Sequence, residues 1–162
     1  MFKKIIVPLD GSTLAEQALP SAVELAKAFD GQVFLLHVVT NYLVPPYGID
    51  YQLGETFREV AIREAHEYLE NIRGSLEATF SGTVHIKVIE GLVAENILDY
   101  ADFHNADVIV MGTHGRSGVG RWVFGSIAER VLRASNCPVL LIRAHGDNSE
   151  ETLTPGHKAS VT

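Results

Sequence analysis

The chain has 162 residues, which at roughly 100–200 residues per domain predicts one domain with room for a full core. With 46% hydrophobic and 20% charged residues it carries enough apolar surface to offset the entropy of ordering, which excludes disorder over most of its length. Thirteen Lys and Arg against twenty Asp and Glu leave a formal charge of −7; that balance suits no broad contact with a phosphate backbone, so no nucleic-acid partner is expected.

The opening segment, Phe2 to Val7, is β-rich and nearly continuously apolar, as a strand buried on both faces of a parallel sheet should be. Its apolar run stops at Pro8, short of the roughly 7–15 residues of a signal peptide. No window approaches about 18 consecutive apolar residues, so no membrane span is expected and the expected location is cytoplasmic. The single cysteine, Cys137, rules out an intrachain disulfide and a Cys-rich zinc site and fits a reducing compartment.

Asp10-Gly11-Ser12-Thr13 reads as a turn, and Thr13-x-x-Glu16 as a capping box that opens a helix running to Phe29. Pro20 lies inside that helix, where it should remove the bond to the Glu16 carbonyl and kink it. Asp30-Gly31 ends it. Val33 to Val39 is a second buried strand, with His37 expected in the core. Residues 40–53, with Pro45-Pro46 and Gly48, form a connection long enough to suggest a binding loop. A long helix is expected over Thr56 to Thr79, with Phe57, Val60, Ala61, Tyr68, Ile72 and Leu76 on one face and Gly74 weakening its last turns.

Val84 to Ile89 alternates apolar and polar residues and reads as an edge strand. A helix should follow from Val93 to about His104, then a short apolar strand, Asp107 to Met111. A glycine-rich loop (112–125), a helix from Ser126 to Ala134 and a last strand, Pro138 to Ile142, complete the pattern. Residues 144–162 show no periodicity and are expected to be a disordered tail. The order β-α-β-α-β-α-β-α-β predicts an α/β fold: a single-domain, doubly wound, five-stranded parallel sheet with helices on both faces. Ligands of such sheets bind beyond the carboxyl ends of the strands where strand order reverses, which here singles out Pro8 to Ser12 and the loop from Gly112.

The richest segment is Met111 to Arg130, MGTHGRSGVGRWVFGSIAER. Gly112 and Gly115 allow close approach of a ligand to the backbone. Gly125-Ser126 opens a helix, whose unpaired N–H groups and dipole favour an anion. Arg116 and Arg121 add positive charge, so a polyphosphate is the natural guest. There is no GxxxxGK[ST], and GxGxxG fails because position 123 is valine.

The spacing Gly112-x2-Gly115-x9-Gly125-Ser126 resembles the ATP-binding branch of the universal stress protein family. The resemblance extends over residues 2–143: KKIIVPLDGS is similar to the family's first strand and turn, LLHVV to its second strand and NCPVLLIR to its last. It implies a Rossmann-like fold of the adenine-nucleotide α-hydrolase kind and an ATP site with Mg²⁺ carried by the nucleotide. On that resemblance Asp10 approaches the ribose or a phosphate-bound metal, Pro8 and Leu9 shape the nucleoside wall, and Val38 meets the adenine. Met111 packs near the ribose or base; Gly112, His114, Gly115, Arg116, Ser117 and Gly118 wrap the phosphates. Gly125 and Ser126, with the N–H groups of Ile127 and Ala128, receive a terminal phosphate. The resemblance also implies a homodimer through Val139 to Ile142, which agrees with a short apolar edge strand needing a cover.

Each of these residues has a plainer reading. Asp10 can serve only an Asx turn, Ser126-x-x-Glu129 only a capping box, and His114 only an exposed loop. Cys137 reads as a buried structural thiol, Trp122 and Phe124 as loop anchors, and Arg130 and Arg133 as complements to a helix dipole. The other histidines lack metal-ligand spacing. With no Walker lysine, arginine finger or positioned base, no catalytic residue is assigned. The main expectation is an ATP-dependent regulatory switch with at most slow hydrolysis, acting on an unidentified protein partner. An ATPase or nucleotidyl-transfer enzyme using the same pocket, and an interaction module with structural glycines, remain the alternatives. The residues leave ATP against ADP or AMP, and dimer against tetramer, open.

Overall fold

The computed structural model describes residues 1–40, 51–113 and 125–143. The expectations placed on the loop residues 41–50, on His114, Gly115, Arg116, Ser117, Gly118, Trp122 and Phe124, and on the tail 144–162 lie outside the described residues.

Five strands, β1 (Lys4–Pro8), β2 (Gln32–Val39), β3 (Val84–Glu90), β4 (Val108–Gly112) and β5 (Val139–Ile142), form one sheet in the order β3-β2-β1-β4-β5. Every pairing is parallel, from Ile5 against Val33 and Val108 at the centre to Ile109 against Val139 at one side. The helices are α1 (Thr13–Glu16), α2 (Leu19–Phe29), α3 (Tyr51–Glu77), α4 (Val93–His104) and α5 (Ser126–Ala134). This is the doubly wound α/β architecture expected from the alternating pattern.

Strand side chains alternate between two cores. Ile5, Val7, Val33, Leu35, Val108 and Val110 pack with Ala18, which caps α2, with Ala22 and Ala26 of α2 and with Leu69 of α3. Ile6, Phe34, Leu36, Ile109 and Met111 pack with Ala94, Ile97 and Ala101 of α4 and Ala128 and Val131 of α5. The central strands therefore read as unbroken apolar runs. β3 is an edge strand, and its exposed His85 and Lys87 account for its alternation.

Several local expectations are corrected. The first helix is two helices, not one kinked helix: Pro20 sits in the first turn of α2, where its missing N–H costs nothing. The cap of α1 is Ser12, whose Oγ accepts the Ala15 N–H at 3.1 Å, rather than Thr13. Similarly, α5 is capped by Gly125 with no side-chain bond, so Ser126 is its first helical residue and Ser126-x-x-Glu129 is not a working capping box. Helix α3 begins at Tyr51, inside the segment read as loop, and ends at Glu77. Phe57 is half exposed at 50%; Ala65 and Leu69 carry the buried face. Cys137 is half-buried beside Ser135. Arg130 and Arg133 pair with Glu95 and Glu129. The helix does end at Asp30-Gly31 as expected, with Asp30 in the left-handed conformation (φ 49°). Gly31 is needed for closeness, since a Cβ there would lie 2.6 Å from the Phe2 carbonyl oxygen.

Candidate functional site

Strand β1 ends at Pro8 and leads into Leu9-Asp10-Gly11. Leu9 donates its N–H to Leu36 O (2.8 Å), which holds the exit of β1 against β2. The chain then turns through Gly11 at φ 83°, a conformation that favours glycine. Asp10 Oδ1 accepts from both the N–H and the hydroxyl of Ser12, at 3.0 and 2.6 Å. The turn chemistry read from Asp10-Gly11-Ser12 is therefore present. It also presents the Asp10 carboxylate at the carboxyl edge of the sheet, where Asp10 lines a cleft.

On the other side of the strand-order reversal, β4 delivers buried Met111 and Gly112 to the same edge. Thr113, also buried, donates its N–H to Ile142 O at 2.9 Å. Its carbonyl accepts the N–H of Gly125 at 2.9 Å, so the two ends of the 114–124 segment are tied together. Helix α5 starts at that knot. Its first internal bond runs from Glu129 N–H to Gly125 O. The N–H groups of Ser126, Ile127 and Ala128 precede it in the first turn, and all three residues line the cleft.

The third wall comes from α3. Ala61, Glu64, Ala65 and Tyr68 follow one another at helical spacing along the cleft. The Tyr68 ring stands edge-on to His37 of β2, with centroids 5.9 Å apart and planes at 73°. Its hydroxyl donates to Glu16 Oε1 at 2.9 Å. Burial, the bond to Glu16 and the nearby charges of Glu16 and Asp10 push the Tyr68 phenol above its ordinary range, while the Gly11 backbone opposes them. Tyr68 is thus a neutral donor at physiological pH.

These walls enclose about 790 Å³, within the range of roughly 300–1,000 Å³ of small-molecule sites. The cleft straddles the sheet edge. Leu36, Val38, Val93, Ile97 and Met111 form an apolar side toward α4, while Asp10, His37, Glu64 and Tyr68 form a polar side toward α3. Its described lining contains carboxylates but neither Lys nor Arg, so the start of α5 is its described source of positive potential. The described residues contain no group of three or more His, Cys, Asp or Glu able to hold a metal alone.

The structure brings Pro8, Leu9, Asp10, Val38, Met111, Gly112, Gly125, Ser126, Ile127 and Ala128 together around this one cleft. Thr40, Glu64, Thr113 and Tyr68 line the cleft without a local motif that marks them, and His37, expected in the core, is half-buried and lines it too. Glu64 and Tyr68 were within reach: they lie four and seven residues past Val60 and Ala61, on the face of α3 that turns toward β2. Among the described residues no helix is long and apolar enough to cross a membrane.

Comparison with known proteins gives a consistent result. The model of the universal stress protein family matches residues 1–143. Universal stress protein MJ0531 of Methanocaldococcus jannaschii is 35% identical over 144 residues, covering 88% of this chain and 83% of that protein. The solved structure of MJ0577, from the same organism, superposes with a TM-score of 0.79 at 30% identity, covering 90% of this chain and 98% of that one. Two more distant structures share the fold: a universal stress protein in complex with cAMP (20% identity, TM-score 0.60, 89% of this chain and 98% of that one) and an Arabidopsis thaliana member with AMP bound (17%, 0.64, 93% and 97%).

Proposed function

The chain belongs to the universal stress protein family, and we propose that its cleft binds an adenine nucleotide, ATP with Mg²⁺, as the input of a regulatory switch. The observation that carries this reading is the convergence, at the reversal of strand order, of the β1 exit, the β4 exit and the first turn of α5 on one cleft. Two relatives of the same fold hold adenine nucleotides in their structures; their low identity speaks for the scaffold rather than for this chain's ligand.

The chemistry of the walls suits the parts of the ligand. A purine ring fits the apolar side at Val38, Val93 and Met111. Ribose hydroxyls can donate to Asp10, and phosphates can accept from Ser126 and the N–H groups of Ile127 and Ala128. The residues fit a metal that arrives with the nucleotide: Asp10 is a hard oxygen donor, and phosphate oxygens and water would supply the remaining ligands of Mg²⁺. That metal would neutralise phosphate charge beside Asp10 and Glu64. His114, Gly115, Arg116, Ser117 and Gly118 complete the phosphate site in this reading.

Output would pass along α5. The helix begins in the cleft and leads into β5, a four-residue edge strand with Leu140 exposed at 38%. Leu132 on α5 is exposed as well. We infer that this edge pairs with a second copy through Val139 to Ile142, so that nucleotide state biases dimer or partner contacts in the cytoplasm. No residue is assigned to catalysis; sustained turnover above about 1 s⁻¹ would contradict the switch reading in favour of an enzyme. The test is Ser126→Ala, read by fluorescence titration. Loss of one hydroxyl donor to a charged terminal phosphate should weaken ATP about 10- to 100-fold and leave AMP unchanged. Equal effects on both nucleotides would contradict the placement.

A further inference from the structure

Helix α1 is a single turn of four residues, too short to hold a position by its own hydrogen bonds. It is continuous with the Asp10-Gly11-Ser12 turn: Asp10 Oδ1 holds Ser12, and Ser12 Oγ holds Ala15. Glu16, the last residue of α1, is therefore the far end of the same small unit that presents the Asp10 carboxylate. Ala15 packs its side of the unit into the core, and the Glu16 side is held by a residue from another element. Tyr68 reaches Glu16 from 52 residues away, with its hydroxyl 2.9 Å from Oε1.

Tyr68 is well placed for this. Its helix, α3, is 27 residues long and is anchored by fully buried Leu69, one residue beyond it. A second anchor lies a few turns earlier, where Arg58 makes a two-pronged bond to Glu90 at the end of β3, at 2.5 and 2.7 Å. The ring of Tyr68 is further fixed by its edge contact with His37. The phenol thus ties the end of the one-turn helix α1 to α3 and, through His37, to β2. Because it is held in the protonated form, it remains a donor to the Glu16 carboxylate.

We propose that Tyr68, through Glu16, is a positioning residue that sets where the Asp10 carboxylate meets the hydroxyls of a ribose, and so makes the cleft selective for ribonucleotides. This rests on the nucleotide reading above and adds two residues outside the β1 and β4 exits. Neither Tyr68 nor Glu16 is required to touch the sugar.

The experiment is calorimetric titration of the full chain with Mg-ATP and with Mg-2′,3′-dideoxy-ATP, for the unmodified chain and for Tyr68→Phe, Glu16→Ala and Glu16→Gln. The unmodified chain should prefer the ribonucleotide. Tyr68→Phe should weaken Mg-ATP about 3- to 10-fold, the range of one lost hydrogen bond, and leave the dideoxy analogue unchanged. Glu16→Ala removes the acceptor without altering the cleft wall and should reproduce that selective loss even if Tyr68→Phe folds poorly. Glu16→Gln keeps an acceptor and should restore the preference. Equal weakening of both ligands, or no change in either, would overturn the positioning role alone. An unmodified chain that binds neither ligand would overturn the nucleotide reading, and this inference with it.

Discussion

His104 closes α4 with its ring among Phe34, Tyr100 and Phe103, at centroid distances of 5.3, 4.3 and 5.1 Å. Lys4 donates to its carbonyl at 2.8 Å, and His85 stacks on the opposite partner, Phe34. Burial lowers the imidazole's pKa below its ordinary value, and the charges of Lys4 and His85 lower it further. The folded chain therefore binds its proton less readily than the unfolded chain. This contribution to stability is complete above the unfolded value of about 6.5 and is lost as pH falls through the lower folded value. Urea unfolding at pH 7.5 and 5.5 should show a smaller fall for His104→Gln than for the unmodified chain; an identical fall in both would contradict it. Other residues act through position alone. Asp107 gathers the N–H groups of Lys3 and Lys4 at 2.7 and 2.9 Å and so secures the start of β1, whose far end presents Asp10.

Elements were legible where one force dominated. The apolar runs of β1, β2 and β4 could only be buried strands, and the Gly112 and Gly125-Ser126 spacing bracketed the start of α5. Errors arose where two local rules competed. Apolar residues recur on both sides of Pro20 and so suggest a kink, but the same proline is at ease one step into a fresh helix, and the chain breaks before it. Ser12 and Thr13 can both cap, and only the bond to Ala15 decides. Phe57 matched the helical period yet is exposed, because the buried face of α3 is set by what lies opposite, Leu69 and Ala65 rather than Phe57. His37 looked like core because strand alternation reports which face a side chain takes, not whether a helix covers that point. At this scale the edge strand β5 makes its own prediction. Leu140→Lys places a charge on the inferred dimer edge and should shift sedimentation toward the 17.7 kDa monomer with nucleotide affinity retained. A distribution unchanged from that of the unmodified chain would contradict the interface.

The whole molecule turns one topological fact into a site. Chain order runs outward from β1 to β3 and then restarts at β4 on the other side, so the exits of β1 and β4 diverge and border a cleft. That much followed from the alternation of strands and helices. The α3 wall did not, because Glu64 and Tyr68 meet the cleft only through the packing of a long helix across β2 and β3. A net charge of −7 adds a further condition. An anionic ligand must be drawn in by local features, the α5 N-terminus and an accompanying cation, against the field of the whole chain. The most direct measurement is calorimetric titration of nucleotide-free protein with Mg-ATP, with Mg-AMP as reference and melting temperature followed in parallel. Saturable micromolar binding of ATP, at least about tenfold tighter than AMP and accompanied by a rise in melting temperature, is the predicted result. No heat and no thermal shift with either nucleotide would contradict the account and leave the glycines of the loop a structural role only.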